Sequence, residues 1–144
     1  MSNPIRTIEK SLYEKNRIVL INLKVKSENY EFLLDTGSSD CIIHTKYKDL
    51  FVMPDEKPVD FDELQTGFGD VKKVDIYELP IFIDDWMFIN RFVFSEIDIL
   101  DYITEATDRK VIGIIGMDFL LKTKAFLDFK QLKIQYNEYN NPRI

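Results

Sequence analysis

Phe32-Leu33-Leu34-Asp35-Thr36-Gly37-Ser38 runs three apolar residues straight into a carboxylate, a hydroxyl and a glycine. Two readings of that stretch are open. In one, Asp35 is a turn residue at the end of a strand and Gly37 supplies a positive φ. In the other, Asp35 is a carboxylate held in a fixed place by a buried strand, Gly37 lets backbone approach closely, and the Thr36 hydroxyl ties the loop. If two such loops met, the two carboxyls would share one proton, because like charges that close cannot both ionise cheaply. The ionised one can take a proton from water and the neutral one can donate to the scissile carbonyl oxygen. The motif occurs once, and 144 residues leave no room for two complete lobes. The second reading therefore predicts a homodimer, with Asp35 facing its symmetry mate across a two-fold axis.

Around this stretch the chain alternates short apolar runs with turns. Ile18 to Lys26 reads as a strand, Ser27-Glu28-Asn29 as a turn, Tyr30–Leu34 as the returning strand and Cys41–Ile43 as another. Residues 44–63, with Pro54 and Pro58, read as a connecting loop with a little helix. Val71–Leu79, Ile81–Ile83 and Phe88–Phe94 are strand-like, with Asp84-Asp85 as a hairpin turn. Ile97–Arg109 is acidic and irregular, with room for a short helix. Val111–Ile115 reads as a buried strand, Met117–Lys122 as a helix, and Lys124–Phe129 with Leu132–Tyr136 as a hairpin. Many short strands and little helix predict a mostly β domain, a barrel or sandwich.

Composition narrows the chemistry. Apolar residues make up 45% of the chain and aromatics 13%, enough for a packed core in one domain. The net charge of −6 argues against nucleic acid, whose phosphates need a basic face. There is one cysteine, Cys41, and one histidine, His44. A Ser–His–Asp or Cys–His mechanism would have to use His44, and three residues apart in a strand the two side chains face opposite sides. Cys41 reads as a small core residue and His44 as a surface or loop residue. No His/Asp/Glu spacing supports a metal site, so no metal or other cofactor is expected. No apolar run approaches the roughly 20 residues of a membrane helix, and no signal-peptide core is seen. The expectation is a cytoplasmic protein with no membrane partner.

The second half of the chain strengthens the catalytic reading. Val111-Ile112-Gly113-Ile114-Ile115-Gly116 is an apolar segment stopped by glycine, Met117-Asp118-Phe119-Leu120 opens a helix, and Phe126 to Ile134 closes a hairpin. Together with the Asp-Thr-Gly-Ser loop and the glycine-bearing Gln65-Thr66-Gly67-Phe68-Gly69-Asp70, this order resembles the retropepsin-like aspartyl proteases, especially the small single-motif bacterial and retroelement types, over roughly residues 17–137. The resemblance implies an acid-protease barrel, one lobe per subunit, with one or two short helices. It implies that Asp35 is the catalytic carboxylate, Thr36 braces the paired loops across the dimer axis, and Gly37 completes the loop. Gln65, Thr66, Gly67, Phe68 and Gly69 would form the flap tip that closes over a bound peptide, and Ile114-Ile115-Gly116 would pack under the catalytic loop. On this reading residues 1–16 are an N-terminal extension, 17–137 the protease domain and 138–144 a C-terminal tail. The function implied is an aspartic endopeptidase acting as a homodimer on peptide or protein substrates. The alternative is a catalytically silent retropepsin-like module for dimerisation or peptide binding. Asp40 reads as a solvated turn carboxylate, Asp118 as a helix cap, and Asp128 as a residue serving the last hairpin.

Overall fold

The computed structural model describes residues 3–65 and 71–139. Its strands are β1 (Ile5–Thr7), β2 (Leu20–Val25), β3 (Glu28–Leu34), β4 (Ile42–His44), β5 (Asp60–Gln65), β6 (Val71–Ile83), β7 (Trp86–Ser95), β8 (Val111–Ile115), β9 (Phe126–Asp128) and β10 (Lys133–Gln135). The helices are α1 (Lys10–Asn16), α2 (Asp98–Thr107) and α3 (Met117–Lys122), with one 3-10 turn at Thr45–Leu50. The fold is mostly β, as the spacing of apolar runs predicts.

Seven strands form one sheet in the order β2-β3-β8-β4-β7-β6-β5, and β2 also pairs with β6 through Lys24↔Phe82 and Val25↔Ile81. That last pairing closes β2, β3, β8, β4, β7 and β6 into a six-stranded barrel, leaving β5 outside on β6. β2 alternates as a barrel wall should: Ile21, Leu23 and Val25 are buried, while Asn22 and Lys24 face out. β8 is buried along its whole length because it runs between two neighbours with apolar cover on both faces. It lies parallel to β3 and antiparallel to β4. A second sheet, β1-β10-β9, packs alongside.

The interior is aliphatic and aromatic, with Phe32, Phe88, Phe92, Phe119 and Tyr136 almost wholly buried. A second apolar cluster covers the opposite face of β3, β8 and β4. There Leu100 and Ile103 of α2 meet Leu20, Val111 and Ile114, with Leu33 and Ile42 at the margin. Burial of each such side chain contributes about 1.5–3 kcal/mol.

Several elements depart from the sequence expectation. Residues 5–7 form a strand on β10, and Ile8 is buried beside it, so this segment joins the fold through pairing rather than through any pattern of its own. α1 follows at Lys10. β5 begins at Asp60, inside the span expected as loop, because β6 offers it a full ladder of partners. β6 continues through Pro80, where two separate strands are predicted. Pro80 gives up no needed donor there, and its carbonyl accepts the Lys26 amide at 3.0 Å. His44 is buried, not exposed, and its Nδ1 accepts the Lys46 amide at 3.2 Å, capping the 3-10 turn. The Asp84-Asp85 turn is where it is expected, with Asp84 left-handed and paired to Arg6 at 2.8 Å.

Candidate active site

Asp35 leaves the end of β3 with its position set by backbone. The Leu34 amide donates to the Val19 carbonyl at 2.9 Å, and the Asp35 amide donates to the last carbonyl of β8, Ile115, at 3.1 Å. The Ser38 amide then folds back to the Asp35 carbonyl at 3.1 Å. Inside that turn the Gly37 amide donates to Asp35 Oδ1 at 2.9 Å, which fixes the carboxylate's rotation. Asp35 is half-buried, and Thr36 and Gly37 are exposed at the loop's crest. Gly37 does not take a left-handed φ, so the simple turn reading of Asp-x-Gly is not how this glycine is used. A Cβ there would stand 3.2 Å from Asp35 Oδ1.

The second half of the chain grips this loop from below. The first two amides of α3, which a helix leaves without internal partners, donate to loop carbonyls: Met117 to Ser38 at 2.8 Å and Asp118 to Ser39 at 3.0 Å. Gly116 is required by that approach. A Cβ on it would lie 2.3 Å from the Asp40 carbonyl oxygen and 2.6 Å from that of Ser38. Gly113 is held to glycine by the Ile42 carbonyl oxygen, 2.2 Å from the same construction. Ile114-Ile115-Gly116 therefore packs against the Asp35 loop. Ser38 Oγ closes the turn on the Asp40 carbonyl at 2.8 Å.

Asp118 does not cap α3, whose N-cap is Gly116 and carries no side-chain bond. Its carboxylate instead accepts from the Cys41 thiol at 2.9 Å, from Asn90 Nδ2 at 3.3 Å and from the Phe119 amide at 2.7 Å. Lys122 Nζ completes the chain of contacts on Asn90 Oδ1 at 2.9 Å. Burial, reinforced by the Asp118 charge, pushes the Cys41 thiol far above its ordinary range, so it is a protonated donor and a poor nucleophile. Asn90 and Lys122 are the residues that sequence reasoning missed. Asn90 was detectable: it sits on the inward phase of an alternating strand, between buried Phe88 and Phe92, where a polar side chain needs an internal partner.

An apolar face runs away from Asp35 on the same sheet. It passes from Leu33 and Ile114 to Ile42, which also packs on Val93, Ile76 and Val74 toward the β5–β6 hairpin. Gln65 ends β5 in register with Val71. Thr66, Gly67, Phe68 and Gly69, the rest of the predicted flap tip, lie outside the described residues. Asp128 serves the last hairpin as expected, accepting the Lys130 and Gln131 amides at 3.0 and 2.9 Å. Among the described residues no group of three or more His, Cys, Asp or Glu is placed to hold a metal ion, and no helix is long and apolar enough to cross a membrane. A surface cavity of about 260 Å³ lies at Arg6, Glu9, Glu31 and Arg109, and Asp35 is not among its lining residues.

No protein-family model and no curated protein matches the sequence. Among solved structures, a retropepsin-like aspartic protease from Rickettsia conorii aligns with a TM-score of 0.55 at 18% sequence identity, over 94% of this chain and 90% of that one. The likeness covers most of the chain, and it shows that this chain has the retropepsin-like fold.

Proposed function

We propose that the chain is an aspartic endopeptidase that works as a homodimer, with Asp35 as the one acid each subunit supplies. The observation that carries this reading is the mounting of Asp35. An Asp-Thr-Gly-Ser loop stands at the end of a core strand, its carboxylate oriented by the Gly37 amide and its backbone clamped by Ile115 and α3. A half-buried carboxylate fixed this firmly, with an exposed Thr36 beside it, suits a loop that meets its own copy.

In the dimer the two Asp35 carboxyls hold one proton between them. Water lies between them. The ionised carboxylate removes its proton as it attacks the peptide carbonyl, and the protonated one donates to the carbonyl oxygen. The tetrahedral intermediate collapses when a proton reaches the leaving nitrogen. No covalent enzyme intermediate forms, which is in keeping with a thiol as inert as Cys41. Thr36 braces the paired loops, and Gln65 to Gly69 close over a substrate held extended by backbone pairing.

The test is Asp35→Asn and Asp35→Ala in purified protein, assayed on a quenched peptide pool, with circular dichroism and sedimentation as folding controls. Both variants are expected to lose cleavage while staying folded. Full activity in Asp35→Ala ends the proposal.

A further inference from the structure

β7 carries a polar residue where its own pattern asks for an apolar one. Asn90 lies on the inward phase between Phe88 and Phe92 and is 1% exposed. Two other buried polar residues bond locally: His44 takes the Lys46 amide, and Thr123 bonds the Phe119 and Leu120 carbonyls. Asn90 reaches across the fold. Its Nδ2 donates to Asp118 Oδ2 at 3.3 Å and to the Arg91 carbonyl at 3.0 Å, and its Oδ1 accepts Lys122 Nζ at 2.9 Å. An apolar side chain would serve the barrel interior at least as well, because burying an amide has a cost that its hydrogen bonds only offset. What Asn90 holds explains it better than where it lies.

The amide has one way round. Lys122 can only donate and the Asp118 carboxylate accepts, so Asn90 turns its oxygen to the first and its nitrogen to the second. Asp118 and Lys122 stand four residues apart, on one face of α3. A single side chain of β7 therefore ties both ends of that face, and Lys122 adds a bond to the Ile89 carbonyl at 3.1 Å. These bonds fix the height and rotation of α3 against β7. What α3 holds in turn is the Asp35 loop: its Met117 and Asp118 amides take the Ser38 and Ser39 carbonyls, and Asp118 Oδ1 takes the Cys41 thiol at 2.9 Å. β7 grips Cys41 a second time, since the Val93 amide donates to the Cys41 carbonyl at 2.9 Å.

We infer that Asn90 is a positioning residue for catalysis: acting through Asp118 and α3, it sets where the Asp35 loop stands, and Lys122 orients its amide. This deepens the peptidase reading and rests on it for the reaction. Asn90 transfers no proton. Its effect is on geometry, and two carboxyls that share one proton tolerate little misplacement.

The test compares wild type, Asn90→Leu, Lys122→Met and the double variant. Each is assayed for kcat and KM on one peptide that the wild type cleaves, with the unfolding midpoint measured alongside. Asn90→Leu is expected to lower kcat about 10-fold or more with KM nearly unchanged, as a loss of transition-state geometry does. Lys122 is exposed, so Lys122→Met stays folded, and it is expected to lower kcat by less, since the amide loses its orientation but keeps its place. Because both act through Asp118, the double variant should be no slower than Asn90→Leu alone, whereas independent effects multiply. As a second readout, the Gly37 and Ser38 amides should exchange hydrogen faster in Asn90→Leu, while those of β2 keep wild-type rates. Multiplying effects, or kcat within about twofold of wild type in both single variants, overturn the inference even where the unfolding midpoint drops. Should Asn90→Leu fail to fold, an unchanged kcat in Lys122→Met overturns it. Wild-type cleavage retained by Asp35→Ala refutes the peptidase reading instead. The exchange rates then decide alone whether Asn90 holds the loop, faster rates supporting it and unchanged rates overturning it.

Discussion

At the scale of single residues, Gly116 is one of the tight constraints among the described residues. An added methyl would strike two carbonyl oxygens of the Asp35 loop, and both belong to backbone, so neither can rotate away. Gly116→Ala is expected to destabilise by about 3 kcal/mol or more, the upper end for overpacking, measured by urea unfolding. Gly37→Ala meets only a carboxylate oxygen at 3.2 Å and should cost less stability while disturbing the orientation of Asp35. Cys41 gives a prediction with a sign. Its thiol ionises in the unfolded chain from about pH 9, but burial and Asp118 keep it protonated in the folded one. The folded pKa is raised, so the contribution is complete below pH 9 and drains away as pH climbs above it. The stability gap between wild type and Cys41→Ala should therefore narrow above pH 9 in chemical denaturation. A gap that stays constant or widens contradicts the buried-donor assignment. Asp35 and the apolar-apolar-Gly segment were legible because each is written in consecutive residues. The Cys41–Asp118–Asn90–Lys122 contacts were not, since their members come from three separate segments, the start of β4, β7 and α3, and meet only once the barrel closes.

At the scale of elements, legibility follows the source of an element's stability. β2, β3, β8 and α3 carry their own apolar periodicity, and the sequence places them to within two residues at each boundary. β1 has only three residues and exists because β10 pairs with it, Ile5↔Gln135 to Thr7↔Lys133. β5 opens with Asp-Phe-Asp-Glu, a polar run that reads as loop until β6 supplies its ladder. A strand made by its partner leaves no local pattern to find. The consequence for β1 can be measured. Ile8, 1% exposed, is sealed under the β1–β10 pair, and its amide donates to the Leu132 carbonyl at 2.8 Å. Ile8→Ala is expected to cost about 2–5 kcal/mol in thermal or urea unfolding, as a core truncation does. A cost under about 1 kcal/mol would mean that residues 1–16 are an appended arm after all. Arg109 secures the same segment from the other side, bridging Glu9 at 2.6 Å and Glu31 at 3.0 Å, though partly exposed pairs of this kind contribute modestly.

At the scale of the whole molecule, the proposal makes activity a property of pairs. Each subunit brings one Asp35, so a dimer with one wild-type and one Asp35→Asn chain holds a single ionisable acid at its centre. Such a pair has no second carboxyl to share the proton and should be inactive. If wild-type and variant chains are mixed in equal amounts and allowed to exchange, only about one dimer in four keeps both acids, so activity per wild-type chain should fall to about half. Excess variant should suppress it further, in proportion to the fraction of wild type remaining. A protein that worked as a monomer would show no loss at any ratio. A dimer with two independent sites would also show none, because each wild-type chain would carry its own site wherever it went. Dilution supplies a second axis: activity per chain should fall below the dissociation constant of the dimer. With a net charge of −6 on each subunit, added salt should screen their repulsion and move that fall to lower concentration. The pH profile should be bell-shaped, since both the fully ionised and the fully protonated pair lack one of the two roles. Mixing, dilution and pH thus test the same claim independently, and a sharing of one proton between two chains is the one arrangement that requires all three outcomes together.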